Sequence, residues 1–250
     1  MEGRPRDGRS ARRGLRARDG HDDSRPRRDE YLEALGAGME LIQHATGPLA
    51  TNVYLLGDPG TREALAIDTA IPSAAWIAER LAQRDWTLKL IVSTHRHWDH
   101  TGDNAAVQAA TGADIACHPL DRDGLEHPQP LFAPFPIPPS VPAVDLAEGG
   151  VIRFGSILLQ VLHTPGHTEG SVCLVAPDDG MLFSGDTLFA GGWGRVDLPG
   201  GSADAMVTSL SRLALLDDPL RVLPGHGRPT TIGRERPLLE LIARDGRLPA

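Results

Sequence analysis

Histidine and aspartate side chains gather in one short segment, Thr94-His95-Arg96-His97-Trp98-Asp99-His100. The segment directly follows an apolar run, residues 88–93, that predicts a buried strand. Residues i and i+2 at the end of a strand point the same way, so His95 and His97 can bind one metal ion together. Asp99 and His100 follow around the next bend, where they can face a second ion a few ångströms away. The spacing therefore predicts a two-metal hydrolytic site.

Three further candidate ligands each end a strand-like run: His163, Asp186 and His226. The sequence after His163, Thr-Pro-Gly-His-Thr, predicts a turn that fixes the backbone. The two oxygens of Asp186 can bridge two ions, and the glycines on both sides of His226 let the backbone approach a metal closely. Taken alone, each residue also fits an ordinary role in a core, a turn or a loop, so the prediction rests on the complete set.

Alternating apolar patterns and helical spacing predict the elements that position these residues. Strands are expected at residues 52–57, 63–68, 88–94, 113–117, 151–154, 157–162, 171–176, 181–184 and 220–223, and helices at residues 72–84, 103–110, 203–215 and 235–243. Seven prolines between residues 126 and 144 predict a long irregular loop. Two successive groups of strands and helices favour an α/β sandwich, with the sheets packed on each other and the helices outside.

Charge is distributed unevenly along the chain. Residues 1–30 hold ten arginines and seven acids, which leaves fifteen bases and twenty-six acids in the remainder, a net charge of 15 − 26 = −11. We expect residues 1–38 to be a disordered Arg/Asp-rich extension and residues 39–250 to be one catalytic domain, with Met39 as an alternative start of the protein. A polyanion-binding arm is the functional alternative for the extension. The acidic body argues against nucleic acid as the main partner.

Hydrophobic runs and cysteines indicate the compartment. No stretch approaches the roughly 18 apolar residues of a membrane helix, and the basic start is not followed by an apolar signal segment. We therefore expect a cytoplasmic protein without a membrane partner. Cys117 and Cys173 lie inside apolar strand-like runs and are predicted to be buried free thiols.

Four motifs carry a resemblance to a known family: THRHWDHTGDN at residues 94–104, LHTPGHTEGS at 162–171, FSGDTLF at 183–189 and LPGHG at 223–227. Over residues 39–242 the chain resembles the metallo-β-lactamase superfamily, and within it the glyoxalase II-like (hydroxyacylglutathione hydrolase-like) enzymes. The resemblance implies a four-layer αββα sandwich that binds two metal ions. It implies zinc, although iron or manganese would suit the same ligands.

The resemblance also implies a role for each residue. His95, His97 and His163 would bind the first metal ion, and Asp99, His100 and His226 would bind the second. Asp186 would bridge the two ions, so Asp99 and Asp186 are the expected catalytic carboxylates. Two residues are expected to act from outside this ligand set: Asp68, which would orient a ligating histidine, and His167, which would hydrogen-bond in its turn or approach the substrate.

The glycine-rich segment of residues 191–201 resembles a short glyoxalase II-like subgroup. Only about twenty residues follow Gly227, which leaves no room for the helical region that helps larger glyoxalase II enzymes bind glutathione. The identity of the thiol partner therefore stays open.

The expected reaction is hydrolysis of a hydroxyacyl thioester, or a related small acyl substrate, by a hydroxide that bridges the metals. One alternative is a persulfide dioxygenase with a single iron, an enzyme of a related branch of the superfamily. The tryptophan at position 98, within His-Trp-Asp-His, resembles the sequences of the hydrolases more closely than those of that branch. A lactonase or another acyl hydrolase such as a β-lactamase is a second alternative. A non-catalytic interaction protein is the third, and it is disfavoured because structural zinc sites use four protein ligands per ion.

Overall fold

The computed structural model describes residue 1, the backbone of residues 30–34, and residues 38–129 and 132–249. Most of the extension expected at residues 1–38 lies outside these residues. Within it, however, Glu30–Ala34 forms a strand, β1, paired antiparallel with Glu40–Thr46, β2. Backbone hydrogen bonds along the edge of the sheet hold this segment. The disorder expected for the rest of the extension stays a prediction.

The first sheet has seven strands in the order β1-β2-β3-β4-β5-β6-β7. Its remaining strands are β3 Thr51–Asp58, β4 Glu63–Ile67, β5 Thr87–Val92, β6 Asp114–Cys117 and β7 Val144–Asp145. Strands β1 to β4 pair antiparallel and strands β4 to β7 pair parallel. Parallel neighbours need crossover connections, which are supplied by helices α1 Ala74–Arg84, α2 Trp98–Thr101, α3 Asn104–Thr111 and α4 Arg122–Glu126.

The second sheet has six strands in the order β13-β12-β11-β10-β9-β8. They are β8 Val151–Phe154, β9 Ile157–His163, β10 Val172–Ala176, β11 Met181–Gly185, β12 Arg221–Pro224 and β13 Thr230–Thr231. Only β11 and β12 pair parallel in this sheet of described residues, and helix α5, Ala203–Leu213, connects them. Helix α6, Ile232–Asp245, follows β13.

Three apolar clusters hold the layers together. The central cluster lies between the two sheets, where Tyr54 and Phe183 meet edge to face with ring centroids 5.2 Å apart. The second cluster joins the outer face of the first sheet to α1 and α3, and the third joins the outer face of the second sheet to α5 and α6. The order of layers is helix, sheet, sheet, helix, which confirms the αββα sandwich.

The strands and helices predicted from the sequence are all present, with ends that differ by a few residues. The patterns did not reveal β2, the short helices α2 and α4, or the two-residue strands β7 and β13, since such pieces are too short or too irregular to show a period. Cys117 and Cys173 are buried and free, as expected. Within the described parts of the chain, none of the helices combines the length and apolar character that crossing a bilayer requires.

Candidate metal centre

Strand ends deliver the candidate ligands to one edge of the sandwich. The chain leaves β5 just before His95, leaves β11 just before Asp186 and leaves β12 just before His226. Both sheets therefore contribute to the same place. The partly buried side chain of His97 and the buried side chain of His95 follow the same strand.

The first group of side chains is His95, His97 and His167, whose candidate ligand atoms all lie within 4.8 Å of one another. His97 Nδ1 is 2.8 Å from His167 Nε2. The ring of His95 lies 4.9 Å from the ring of His97 and 4.7 Å from that of His167. Three imidazole nitrogens converging on one point are a typical zinc ligand set.

The second group is Asp99, His100 and His226. His226 Nε2 lies 3.1 Å from His100 Nε2 and 3.2 Å from Asp99 Oδ2. His100 Nε2 is 3.4 Å from the same carboxylate oxygen. This group repeats the geometry of the first with one carboxylate in place of an imidazole.

Asp186 lies between the two groups. Its Oδ1 is 3.4 Å from His100 Nε2, and its Oδ2 is 3.5 Å from both His167 Nε2 and His226 Nε2. One carboxylate thus faces one histidine of the first group and two of the second. That position suits an aspartate that bridges two metal ions.

The protonation pattern tests whether metal ions fit. His100, His167 and His226 each donate through Nδ1 to an oxygen: Asp68 Oδ2 at 2.8 Å, the carbonyl of Arg195 at 2.7 Å and the carbonyl of Leu49 at 3.1 Å. Whenever such a ring is neutral, its other nitrogen bears the lone pair, so each Nε2 can offer a lone pair to an ion at the centre. Neighbouring lone pairs such as those of His100 and His226 repel unless a cation lies between them.

Two buried atoms of the centre lack a hydrogen-bond partner among the described residues, His95 Nε2 and Asp186 Oδ1. Leaving a buried polar atom unpaired costs about 1–3 kcal/mol, so native proteins rarely do so. Both atoms are common metal ligands. The residues present therefore fit a pair of divalent metal ions.

The pKa shifts agree with this test. Burial, and then the proximity of His167, lower the pKa of His97 to about 3, which leaves one of its ring nitrogens unprotonated. Burial opposes ionisation of Asp99, but His100 and His226 hold its pKa well below the usual range. Burial also opposes a charge on His100, yet the carboxylates of Asp186, Asp99 and Asp68 raise its pKa. These carboxylates favour a positive charge at the centre, and either a metal ion or a proton can provide it.

Asp68, which was expected to orient a ligating histidine, lies beside the ring of His100. It follows β4 with φ 55°, a backbone conformation that few residues other than glycine adopt. Its carboxylate accepts hydrogen bonds from Thr94 N at 2.8 Å, Thr94 Oγ1 at 2.9 Å and His100 Nδ1. A carboxylate held by two donors of Thr94 keeps its own position and can thereby fix the ring of His100 and its tautomer.

The turn that carries His226 is fastened to the opposite sheet. Asn52 Nδ2 and the Tyr54 hydroxyl donate to the carbonyl of Pro224 at 2.8 and 2.7 Å. Gly225 is required at the next position, because a Cβ there would lie 2.3 Å from Asp186 Oδ1 and 2.6 Å from His100 Cε1. Glycine thus permits the close approach that the sequence suggested.

The structure does not bring His163 to the centre, so the expectation that it binds the first metal ion was wrong. His163 is the last residue of β9 and still pairs with Val172. Its ring stacks on His118 with centroids 4.0 Å apart, and its Nε2 donates to the carbonyl of Glu169 at 2.9 Å. The side chain therefore faces away from the other candidate ligands.

His167 occupies the place expected for His163. The chain turns through Thr164, Pro165 and Gly166, where glycine adopts φ 142°, before His167 reaches the centre. Its bond to the carbonyl of Arg195 then aims Nε2 at His97 and Asp186. The role expected for His167, outside the ligand set, is corrected to that of a candidate ligand.

Asp121 is a candidate supporting residue that the sequence patterns missed. It is fully buried, and it accepts hydrogen bonds from Arg96 N at 2.9 Å, Thr168 Oγ1 at 2.6 Å and Gly170 N at 3.0 Å. Arg96 lies between two candidate ligands, and Thr168 follows a third. Asp121 thus ties together the two segments that form the first group. Its only sequence signal was an acid shortly after a buried strand, which is not specific.

The centre forms the floor of a cavity of about 420 Å³. Apolar and aromatic side chains form much of its wall, and the lining residues beyond the candidate ligands are Leu49, Trp98, Gln129, Phe132, Phe189, Gly194, Arg195 and Leu198. A cavity of this size with polar groups at one end suits a small-molecule substrate.

Comparison with curated proteins gives relatives along most of the chain. An uncharacterised protein of Mycobacterium leprae is 37% identical over 217 residues, which cover 81% of this chain and 99% of the relative. The hydroxyacylglutathione hydrolase of Maricaulis maris is 39% identical over 173 residues, which cover 69% of this chain and 60% of the enzyme. This chain therefore matches less than two thirds of that hydrolase.

Several solved structures share the fold. The B3 metallo-β-lactamase BLEG-1 superposes with a TM-score of 0.74 at 32% identity, covering 80% of this chain and 98% of its own. ETHE1 from Myxococcus xanthus has a TM-score of 0.69 at 28% identity, covering 82% and 87%. TTHA1623, solved in a di-iron-bound form, has a TM-score of 0.64 at 35% identity, covering 77% and 96%.

The family model of the metallo-β-lactamase superfamily matches residues 46–226, a span that contains every candidate ligand. The layer order, the two ligand groups and the relatives all agree with that match. This chain belongs to the metallo-β-lactamase superfamily of metal-dependent hydrolases.

Proposed function

We propose that this protein hydrolyses thioesters of small hydroxyacyl groups with two metal ions, zinc in the first instance. The observation that carries the proposal is the Asp186 carboxylate, which lies between two ligand groups on the floor of a cavity. The likeness to a hydroxyacylglutathione hydrolase supports this substrate class. The described cavity lining contains no serine or cysteine, which favours water as the nucleophile.

His95, His97 and His167 would hold one ion, Asp99, His100 and His226 would hold the other, and Asp186 would contact both. When bound, such ions supply a water molecule of lowered pKa and a Lewis acid for the carbonyl oxygen. In the reaction, a C–O bond to water forms and the C–S bond breaks. The products are a carboxylic acid and a thiol, so no external oxidant is required.

The chain's own residues position this chemistry. Asp68 holds the ring of His100, and Thr51 Oγ1 donates to Asp99 Oδ2 at 3.2 Å. Because its pKa is low, Asp99 remains a carboxylate at neutral pH, so it holds positive charge rather than relaying a proton. Trp98 and Phe189 line the cavity beside the ligand groups, where they place apolar surface next to the bound substrate.

A second candidate function is that of a persulfide dioxygenase with one iron. His95, His100 and Asp186 form a group of two histidines and one carboxylate whose ligand atoms lie within 4.8 Å of one another. Non-haem iron oxygenases use ligands of this kind with open positions left for substrate and oxygen. The chain is also similar to TTHA1623, which was solved in a di-iron-bound form, so iron is tested beside zinc.

The experiment is a substrate panel of thioesters, lactones, β-lactams and persulfides on protein loaded in turn with zinc and with iron. Thiol release, ring opening and oxygen consumption report the three reaction types. We expect thiol release from hydroxyacyl thioesters by the zinc-loaded protein. Oxygen consumption with persulfide by the iron-loaded protein alone would instead support the dioxygenase.

A pair of variants connects the activity to the centre. Asp186→Asn removes the carboxylate shared by both groups, whereas Asp178→Asn makes the same change in an exposed turn. We expect the first variant to lose thiol release and the second to retain it. Equal activity in both variants would contradict the proposal.

A further inference from the structure

Five apolar side chains line the cavity and are here called the apolar wall: Leu49, Trp98, Phe132, Phe189 and Leu198. Two of them stand at the mouth as exposed large hydrophobic groups, Leu49 at 53% exposure and Phe132 at 85%. Exposed apolar surface that rims a cavity marks a place where a binding partner covers it.

The apolar wall begins directly at the candidate metal ligands. Trp98 lies between His97 and Asp99 in the chain, and the Phe189 ring centroid is 6.1 Å from that of His226. Leu49 is close as well, since its carbonyl accepts the hydrogen bond from His226 Nδ1. A substrate whose carbonyl reaches the ligand groups must therefore place another part of itself against these side chains.

Positive charge is scarce in the same cavity. Among its described lining residues, Arg195 is the only lysine or arginine. Its guanidinium already donates to both oxygens of Asp197, from Nε and Nη2, each at 2.7 Å. Glutathione carries two carboxylates and one ammonium group at neutral pH. Anionic groups of this kind are usually bound by free arginine or lysine side chains.

We infer that the thiol part of the substrate is uncharged and apolar, and that it lies against the apolar wall. This inference rests on the proposed thioester hydrolysis, in which the hydroxyacyl part is small and the larger thiol part fills the cavity. The leaving thiol would then be apolar, whereas enzymes that act on glutathione thioesters release a thiol with charged groups.

The test compares three thioesters of the same lactoyl group, formed with glutathione, with N-acetylcysteamine and with benzyl mercaptan. The second removes the charges of glutathione, and the third adds an apolar ring. We expect kcat/KM to be about tenfold higher for the benzyl thioester than for the glutathione thioester, a difference carried by KM. The N-acetylcysteamine thioester should fall between them.

Leu49→Ala shortens the apolar wall, and Leu215→Ala makes the same change at an exposed leucine that does not line this cavity. The first variant should lower kcat/KM for the benzyl thioester several times more than for the glutathione thioester. The second should change neither value. Preference for the glutathione thioester, with no effect of Leu49→Ala on any ester, would overturn the inference.

Calorimetric binding of the two free thiols separates this inference from the proposed function. In one outcome no thioester is cleaved, but benzyl mercaptan binds more tightly than glutathione and Leu49→Ala weakens only the binding of benzyl mercaptan. The cavity then prefers apolar thiols, and only the proposed reaction fails. If thioesters are cleaved but glutathione binds more tightly, the reaction stands and the inference fails.

Discussion

Replacing His163 and His167 one at a time tests which of the two histidines binds metal: the sequence pattern favours His163, and the structure favours His167. His167→Ala should abolish tight binding of one metal ion, whereas His163→Ala should leave both ions bound. His167 Nε2 lies 2.8 Å from His97 Nδ1 and 3.5 Å from Asp186 Oδ2. His163 instead stacks on His118, away from the candidate ligands.

The sizes of the two effects follow from these contacts. Loss of a side chain that merely orients a ligand lowers metal affinity about 10–100-fold, so loss of a direct ligand should cost at least about 100-fold, or about 2.8 kcal/mol. His163→Ala removes a ring contact and one hydrogen bond to Glu169, which should lower the free energy of unfolding by about 1 kcal/mol. Its metal affinity should stay within about twofold of the unchanged protein, because no candidate ligand contacts the ring.

Competition with a chromophoric chelator measures the affinity, and native mass spectrometry counts the ions per chain. The melting temperature with and without added zinc gives a third readout, since an ion that binds the folded state raises it. The reasoning is refuted if His163→Ala loses an ion while His167→Ala keeps two. Loss of structure in His167→Ala is detected by circular dichroism of the metal-free proteins, and His167→Gln then serves as the milder variant.

Three further substitutions test groups that support the centre or the fold. Asp121→Asn leaves one acceptor oxygen for donors from Arg96, Thr168 and Gly170, so metal affinity should fall about tenfold. The matched change Asp123→Asn, at an exposed carboxylate of α4, should have no effect. Equal metal affinities of the two variants would show that Asp121 does not position the ligands. Asp68→Asn should lower metal affinity about 10–100-fold through His100, measured by the same chelator competition, and an unchanged value would remove its orienting role. Asp58 accepts hydrogen bonds from Ser156 N and Oγ and from the backbone of Gly60 and Thr61, which lower its pKa to about 2. Since this native pKa lies below the unfolded value of about 3.9, its stabilisation of about 2 kcal/mol is present above pH 4 and is lost as pH falls toward 2. Asp58→Asn should therefore remove that stabilisation at pH 7 and flatten the acid limb of urea unfolding curves, whereas an unaltered acid limb would assign the pH dependence to other carboxylates.

Strand and helix positions could be predicted because each buries a regular apolar face. Residues 181–184 and 203–215 show this in the second half of the chain, where the observed β11 and α5 agree closely with the patterns. Irregular connections have no such period. Helix α2 has four residues, yet it carries Asp99 and His100, and only the motif around it marked the segment. The identity of the candidate ligands could thus be predicted better than the backbone that presents them.

The error at His163 shows where such prediction ends. Both His163 and His167 lie in the motif LHTPGHTEGS, and a position directly at a strand end favoured the first. In the structure, His163 keeps its place in the ladder opposite Val172, and its side chain direction is set by the alternation of the strand. His167 reaches the centre only because the turn through Gly166 reverses the chain and because the carbonyl of Arg195, 28 residues away in sequence, orients its ring. The direction of a side chain after a turn depends on contacts between distant segments, and so does the role of Asp121. Residue spacing within one motif does not contain that information, so the choice between two neighbouring histidines needed the fold.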